Sequence, residues 1–356
     1  MRRTVFWAAI VLGAGACLAG DPVVSNVRAQ QRGGGSRLVD IRYDAADSDG
    51  DRLAVSVTLT DGGTPVPAAS VSGDVGAGVR PGSGKRIVWD AGADWPGQLS
   101  ENVRATVTAD DGRTPAVPQG MVRIPGGTNS GTDPDYGAYS LTVETFCMDA
   151  TEVTKAQWDA VYTWAVAHGY TFANAGSGKA ASHPVHTVSW YDCVKWCNAR
   201  SQKEGRTPCY NLSTWACDFA ANGYRLPTNT EWAYAARGGQ SGRRFPWGDT
   251  ITHSQANYYS SSSYSYDVSP TRGCHPTYLT GGYPYTSPAG AFTANGYGLY
   301  DMAGNVWEWC NDTSGSYRII RGGCWYDYAN DARCGYSYWL YPVNADDYLG
   351  FRAVCR

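Results

Sequence analysis

Hydrophobic and polar positions alternate with a period of two along the first third of the chain. Val23-Val-Ser-Asn-Val-Arg-Ala29, Leu38-Val-Asp-Ile-Arg-Tyr43, Leu53-Ala-Val-Ser-Val-Thr-Leu59, Arg86-Ile-Val-Trp89 and Val103-Arg-Ala-Thr-Val-Thr108 carry the pattern, separated by Gly, Pro and Asp clusters. Successive side chains of a strand face opposite sides, so this period predicts half-buried strands. Strands at intervals of about ten residues predict an all-β sandwich over 21–112, of immunoglobulin or fibronectin type. Within it, Asp47-Ser-Asp-Gly-Asp51 reads as an Asp/Gly turn, with calcium binding by its carboxylates as the alternative. Residues 113–119, Arg-Thr-Pro-Ala-Val-Pro-Gln, read as a Pro-containing linker.

The period then changes. Gly120-Met-Val-Arg-Ile-Pro-Gly-Gly127 predicts a strand and turn, and Tyr139 to Thr154 a strand leading into a helix. Thr154 with Gln157 forms a capping-box signature, after which Trp158, Val161, Tyr162 and Ala165 recur at helical spacing and predict one buried face. A second helix is predicted from Ser189, with Asp192 three residues on, to about Glu204, and a short third from Thr228, with Glu231. Beyond Gly238 the pattern predicts loops and short strands, including the polar aromatic loop from Tyr258 to Tyr266.

Composition sharpens this picture. The chain of 356 residues holds 43 Gly, 25 Tyr and 14 Trp but only 7 Phe, which suits a loop-rich fold whose aromatics keep a polar tip. A net charge of -3 without a Lys/Arg run argues against nucleic acid as a partner. Arg2 and Arg3 precede an apolar run from Val5 to Leu18, so 1–20 read as a secretory signal peptide. The protein is then expected outside the cytoplasm: secreted, periplasmic or at the cell surface. Ala14-Gly-Ala-Cys17 offers an N-terminal lipid anchor as an alternative processing site, and no later stretch predicts a membrane span. Apart from Cys17, the 11 cysteines all lie at or beyond Cys147. In an exported chain they predict disulfides within a second domain.

Several ordered blocks carry a resemblance over about 120–356. They are Gly120-Met-Val-Arg-Ile-Pro-Gly-Gly127, Met148-Asp-Ala-Thr-Glu-Val-Thr154, His183-Pro-Val-His-Thr-Val-Ser-Trp190, the run from Tyr224 to Gly239, Phe245-Pro-Trp-Gly248, Gly296 to Trp309, Arg321-Gly-Gly-Cys-Trp325 and Gly350-Phe-Arg352. Together they resemble the formylglycine-generating enzyme, or sulfatase-modifying factor, family. The resemblance implies an α+β fold of C-type lectin type. It also implies structural calcium at Gly304, Asn305, Val306 and Glu308, with Asn257 at a second position, and a disulfide between Cys197 and Cys355. Family catalysis rests on two cysteines that bind Cu(I) in the loop after Gly-Gly-Ser, and here that loop, Trp325 to Arg333, contains no thiol. Copper is therefore not expected. Cys324 and Cys334 remain as the candidate catalytic pair for a displaced copper site, which is how a formylglycine-generating oxidase or related metal-dependent oxidoreductase acting on an exported protein would survive.

The stretch from Trp325 to Tyr348 is instead crowded with Tyr, Asp and Asn, side chains that give contact area and adaptable hydrogen bonds. It resembles the variable region of binding proteins diversified by retroelements. The leading expectation is a non-catalytic member that binds a protein or glycan ligand. Its expected surface is Trp309, Trp325, Tyr326, Asp327, Tyr328, Asn330, Asp331, Tyr336, Tyr338 and Tyr341, assisted by the 258–266 loop.

Overall fold

The computed structural model describes residues 22–47, 50–98, 100–112 and 117–356. The expected signal peptide with Cys17, most of the expected linker, and Ser48 and Asp49 of the Asp/Gly turn lie outside these residues. The chain divides into two compact units that meet at 116–117.

The first unit is built of β1 (Val23–Gln31), β2 (Leu38–Ala46), β3 (Leu53–Asp61), β4 (Thr64–Val66), β5 (Val71–Gly73), β6 (Gly76–Val79), β7 (Gly82–Asp90) and β8 (Val103–Asp110). One sheet runs β1-β2-β7-β5; in the other, β3 pairs with β4, β6 and β8. Alternation sends Val39, Ile41, Ile87 and Trp89 from the first sheet into the same core as Leu53, Val55, Leu59, Val103 and Val107 from the second. Two sheets thus share one interior. The short helix α1 (Ala91–Asp94) starts where the Asp90 carboxylate accepts from the N–H groups of Gly92 and Ala93. β4, β5 and β6 hold too few residues to display a period, which is why alternation missed them.

The second unit is mixed, mostly sheet with few helices. It opens with β9 (Met121–Ile124), a hairpin of β10 (Gly127–Asp133) and β11 (Gly137–Val143), and β12 (Phe146–Asp149). Helices α2 (Lys155–Ala167), α3 (Trp190–Lys203) and α4 (Asn229–Ala236) follow, and each begins at a capping box: Thr154 with Gln157, Ser189 with Asp192, Thr228 with Glu231. Each N-cap hydroxyl accepts from the N–H three residues on, while that residue's side chain satisfies the N-cap N–H. The predicted face of α2 is buried at Trp158, Val161 and Ala165. Trp158 stacks on Trp196 of α3 at 6.1 Å, and Phe351 meets both rings edge-on.

No named helix or strand lies between Ala236 and Trp307. The sheet that follows has β13 (Trp307–Ser314), β14 (Tyr317–Arg321), β15 (Tyr338–Leu340) and β16 (Leu349–Gly350) in the order β15-β14-β13-β16. The chain ends in β17 (Val354–Cys355), which lies against β12 and so ties the end of the unit to its beginning. Buried ion pairs hold the loops: Arg200 with Asp149, Arg225 with Glu231, Arg237 with Asp133 and Arg352 with Glu308. Isolated bridges add Asn257 to Gly304 and Tyr259 to Tyr328.

The ten cysteines from Cys147 onward stand as free thiols. Cys355 lies across the β12–β17 pair from Cys147, with its Sγ 3.7 Å from Met121 Sδ. Cys197, on α3, lies in the same core cluster as Cys147, Cys209 and Cys355. Strand register thus sets Cys147 opposite Cys355, and no disulfide joins Cys355 to the expected Cys197.

Candidate functional site

The site grows from one edge of the last sheet. Trp307 opens β13, and β14 and β15 bring Ile320, Tyr338 and Leu340 beside it. The loop after Gly322-Gly323 then folds back over this edge. Both glycines are in the left-handed region, φ 95° and 72°, and a Cβ on Gly323 would press on the backbone of Asp331 and Ala332. The tight reversal places Asp327 where Trp307 Nε1 donates to its Oδ2 at 2.6 Å and the Cys324 thiol donates to the same oxygen at 2.9 Å.

These elements enclose a cavity of about 170 Å³. Five aromatic side chains line it: Trp307, Tyr326, Tyr336, Tyr338 and Tyr348. Ile320 and Leu340 add apolar surface, and Asp327 and Asp331 supply the carboxylates. Burial pushes the Asp327 carboxyl up from its ordinary range. Asp331 rises to about 6, through burial and then the neighbouring Asp327 charge. The lining contains no basic side chain. Arg333 lies just outside the lining: its guanidinium is 5.7 Å from the Tyr336 ring centre and its charge acts on Asp331, while it pairs with Asp135 at 3.2 Å and donates to the Asn330 carbonyl.

Tyr326 and Tyr338 of the lining are also exposed, Trp339 stacks beside Tyr338 at 5.3 Å, and Tyr328 and Tyr341, the latter packed on Tyr317, are exposed too. The 258–266 loop joins them. The Tyr259 N–H donates to the Asp327 carbonyl at 2.8 Å, and Tyr328 meets Tyr259 at 5.5 Å and Tyr264 at 5.9 Å.

Of the expected surface, Tyr326, Asp327, Asp331, Tyr336 and Tyr338 come together at the cavity, with Tyr328 and Tyr341 exposed outside it. Asn330 is half-buried and donates to Asp331 Oδ1. Trp309 and Trp325 are placed differently. Trp309 is fully buried, with its indole N–H on the Val188 carbonyl, and Trp325 is buried against Tyr283, Tyr285 and Tyr326. Both are framework rather than surface. Trp307, Ile320 and Leu340 were missed, because nothing in Trp-Glu-Trp separates the tryptophan that lines a cavity from the one that fills a core.

The candidate catalytic thiols do not form a pair. Cys324 packs in the large core with Trp307 and Trp325, while Cys334 packs with Cys310 and Trp232 in another cluster. Burial pushes the Cys334 thiol up to about 12. Burial, followed by the Asp327 charge, raises Cys324 well above the usual thiol range. Such thiols resist forming the thiolates that bind metal.

The residues expected around calcium divide into two sets. Gly304 sits at φ 80° where a Cβ would run into the Asn257 carbonyl oxygen, and the Asn305 N–H donates to that oxygen at 2.8 Å. Val306 is buried in the same turn. The Glu308 carboxylate, however, is spent. Arg352 reaches both its oxygens at 2.7 Å, and Trp232 Nε1 donates to Oε2 at 2.7 Å. Beside Asn305 lie two carboxylates absent from the expected set, Glu152 and Asp301. Asn305 Nδ2 donates to Glu152 Oε1, and Ser287 N donates to Asn305 Oδ1. Four buried oxygens cluster here without a donor from elsewhere, Glu152 Oε2, Asp301 Oδ1, Asn257 Oδ1 and Ser287 Oγ, and the Glu152 and Asp301 carboxyls lie close enough to share a proton. Burial raises Glu152 well above its usual range, followed by the Asp301 charge, and burial raises Asp301 to about 6. All four atoms are oxygens, the donors a hard cation takes, and the Glu308 side chain, committed to Arg352 and Trp232, is not among them.

This arrangement of capped helices, long loops and buried Arg–carboxylate pairs has relatives. The sulfatase-modifying factor enzyme 1-like domain family matches residues 107–356. The chain belongs to that family. A chaperone protein, LppX, of Paenibacillus barcinonensis is 30% identical over 249 residues, 61% of this chain and 82% of that protein. The formylglycine-generating enzyme of Thermomonospora curvata is 33% identical over 241 residues, 58% of this chain and 66% of that enzyme's length. Among solved structures, CarF superposes with a TM-score of 0.52 at 28% identity, covering 66% of this chain and 97% of CarF.

Proposed function

We propose that the second unit is a non-catalytic binding domain of an exported protein, and that it holds a ligand at the Trp307–Asp327–Asp331 cavity and its aromatic surround. The observation that carries this reading is the aromatic, acidic concavity that the 325–348 loop builds against Trp307 and Ile320, with the 258–266 loop packed on that loop at Asp327 and Tyr328. Exposed Tyr and Trp clustered around a pocket are the composition of recognition surfaces. The buried, separated thiols support binding over copper oxidation. A relative named as a chaperone supports a protein ligand over a glycan. Asn257, Glu152, Asp301 and Ser287 would hold a structural calcium, and the first unit, read as an immunoglobulin- or fibronectin-like module, would carry the domain.

Selection of a displayed random-peptide library on the full chain tests the reading. Enriched peptides should lose binding when Tyr338 or Tyr341 is changed to Ala. Peptides insensitive to both changes would place recognition elsewhere. A second reading, formylglycine-generating oxidase, is favoured by the 33% identity to such an enzyme. A sulfatase-motif cysteine peptide incubated with the protein, Cu(I) and oxygen separates the two: only the oxidase yields an aldehyde product.

A further inference from the structure

The chemistry of the cavity narrows the ligand. We propose that it receives an organic cation, the ammonium or guanidinium end of a lysine or arginine side chain on the ligand; this rests on the binding reading above.

Three observations lead there. Aromatic rings dominate the lining, and the face of each ring attracts a positive charge. The charged members of the lining are two acids, with no basic side chain among them, so an anion entering would meet repulsion and no cation within the lining. Trp307 and Cys324 both donate to Asp327 Oδ2 and fix the carboxylate in place, while neither donor carries a charge to neutralise it. Two acids drawn together in a partly dry setting repel each other, and a cation between them relieves that repulsion. The size agrees. At about 170 Å³ the cavity is smaller than the roughly 300–1,000 Å³ of pockets for drug-sized ligands, so it fits one side-chain end or one small amine. The exposed Trp339 and Tyr341 would then contact the rest of a larger ligand.

The experiment has two arms on the full chain. Calorimetry with n-butylammonium and N-methylguanidinium, against n-butanol and N-methylurea as neutral counterparts, tests the charge requirement. The peptide-library selection tests the source. The expected result is binding of the cations at least about tenfold tighter than of their neutral counterparts, with enriched peptides that share a Lys or Arg. Asp331→Asn should weaken both by about tenfold while the thermal unfolding curve is retained. Tyr338→Ala, altering an exposed ring, serves as a second variant. Peptides at least about tenfold tighter than butylammonium identify a side chain of a protein ligand; equal affinity identifies a free amine and overturns the side-chain assignment. Peptides that lack a cation, depend on Tyr341 and ignore Asp331→Asn would overturn the cation inference and leave the binding reading standing. No enrichment and no cation binding would overturn both.

Discussion

Two carboxylate sites within the second unit are built in opposite ways. Glu308 is wholly buried and wholly satisfied: Arg352 grips both oxygens, Trp232 adds a third bond, and Arg352 also donates to the carbonyls of Asp149 and Tyr300. Asp327 and Asp331 face a cavity walled by rings, with Trp307 and Cys324 donating to Asp327 and Asn330 donating to Asp331. Charge neutralised from within is framework, because its removal leaves an uncompensated partner in a dry interior. Asp327, held by neutral donors, has no cation among its side-chain bonds, and the cation near Asp331, Arg333, is already paired with Asp135. The difference separates a carboxylate that organises the fold from the pair on which the binding proposal rests.

Breaking the framework member should have the largest effect. Arg352→Met leaves Glu308 buried without its partner, and such losses cost about 3–5 kcal/mol. Thermal unfolding of the second unit should shift strongly downward while the first unit's transition holds. A merely local change, with both transitions intact, would mean that the pair does not organise the unit.

Gly304→Ala ranks next. The new Cβ would run into the Asn257 carbonyl in a left-handed backbone, and strained positions of this kind cost on the order of 1–3 kcal/mol. Denaturant midpoints measure it. A neutral result would mean that the 304–308 turn adapts.

The Glu152–Asp301 cluster gives a pH test of intermediate size. Asp301 titrates at about 6 in the fold against an ordinary 3.8, so it binds its proton more tightly when folded. Its stabilising contribution is therefore complete below about pH 4 and is lost as pH rises through about 6, and Glu152 shifts in the same direction. With chelator, the second unit should melt at a lower temperature at pH 7 than at pH 5. Added Ca²⁺ should remove the difference, because a cation favours the ionised carboxylates. Melting curves that ignore both pH and calcium would contradict the cluster's assignment.

The smallest stability effect belongs to the binding face. Tyr341→Ala, at an exposed ring, should change stability by less than about 0.5 kcal/mol yet weaken captured peptides measurably. Equal losses in stability and affinity would make this face framework too.

The contrast also explains what was legible in the sequence. Capping boxes at Thr154, Ser189 and Thr228 are local chemistry, so the helix starts could be read directly. Strand alternation in 21–112 is equally local. The role of Glu308 was not, since its partner lies at Arg352 and only the folded chain joins them. Trp309 was expected on the surface and fills the core, while Trp307, two residues away, lines the cavity. Side-chain type alone could not distinguish them. Tyr326, Asp327, Asp331, Tyr336 and Tyr338 were legible because an unusual local density of Tyr and Asp marks them.

The central claim is that this face binds rather than oxidises. It is tested most directly by measuring how fast Cys324 and Cys334 are alkylated in the native protein, with and without one equivalent of Cu(I). The account predicts that both cysteines stay unmodified until the protein is unfolded, whether or not copper is present. Rapid native alkylation of both, blocked for both together by a single Cu(I), would contradict it and restore the oxidase.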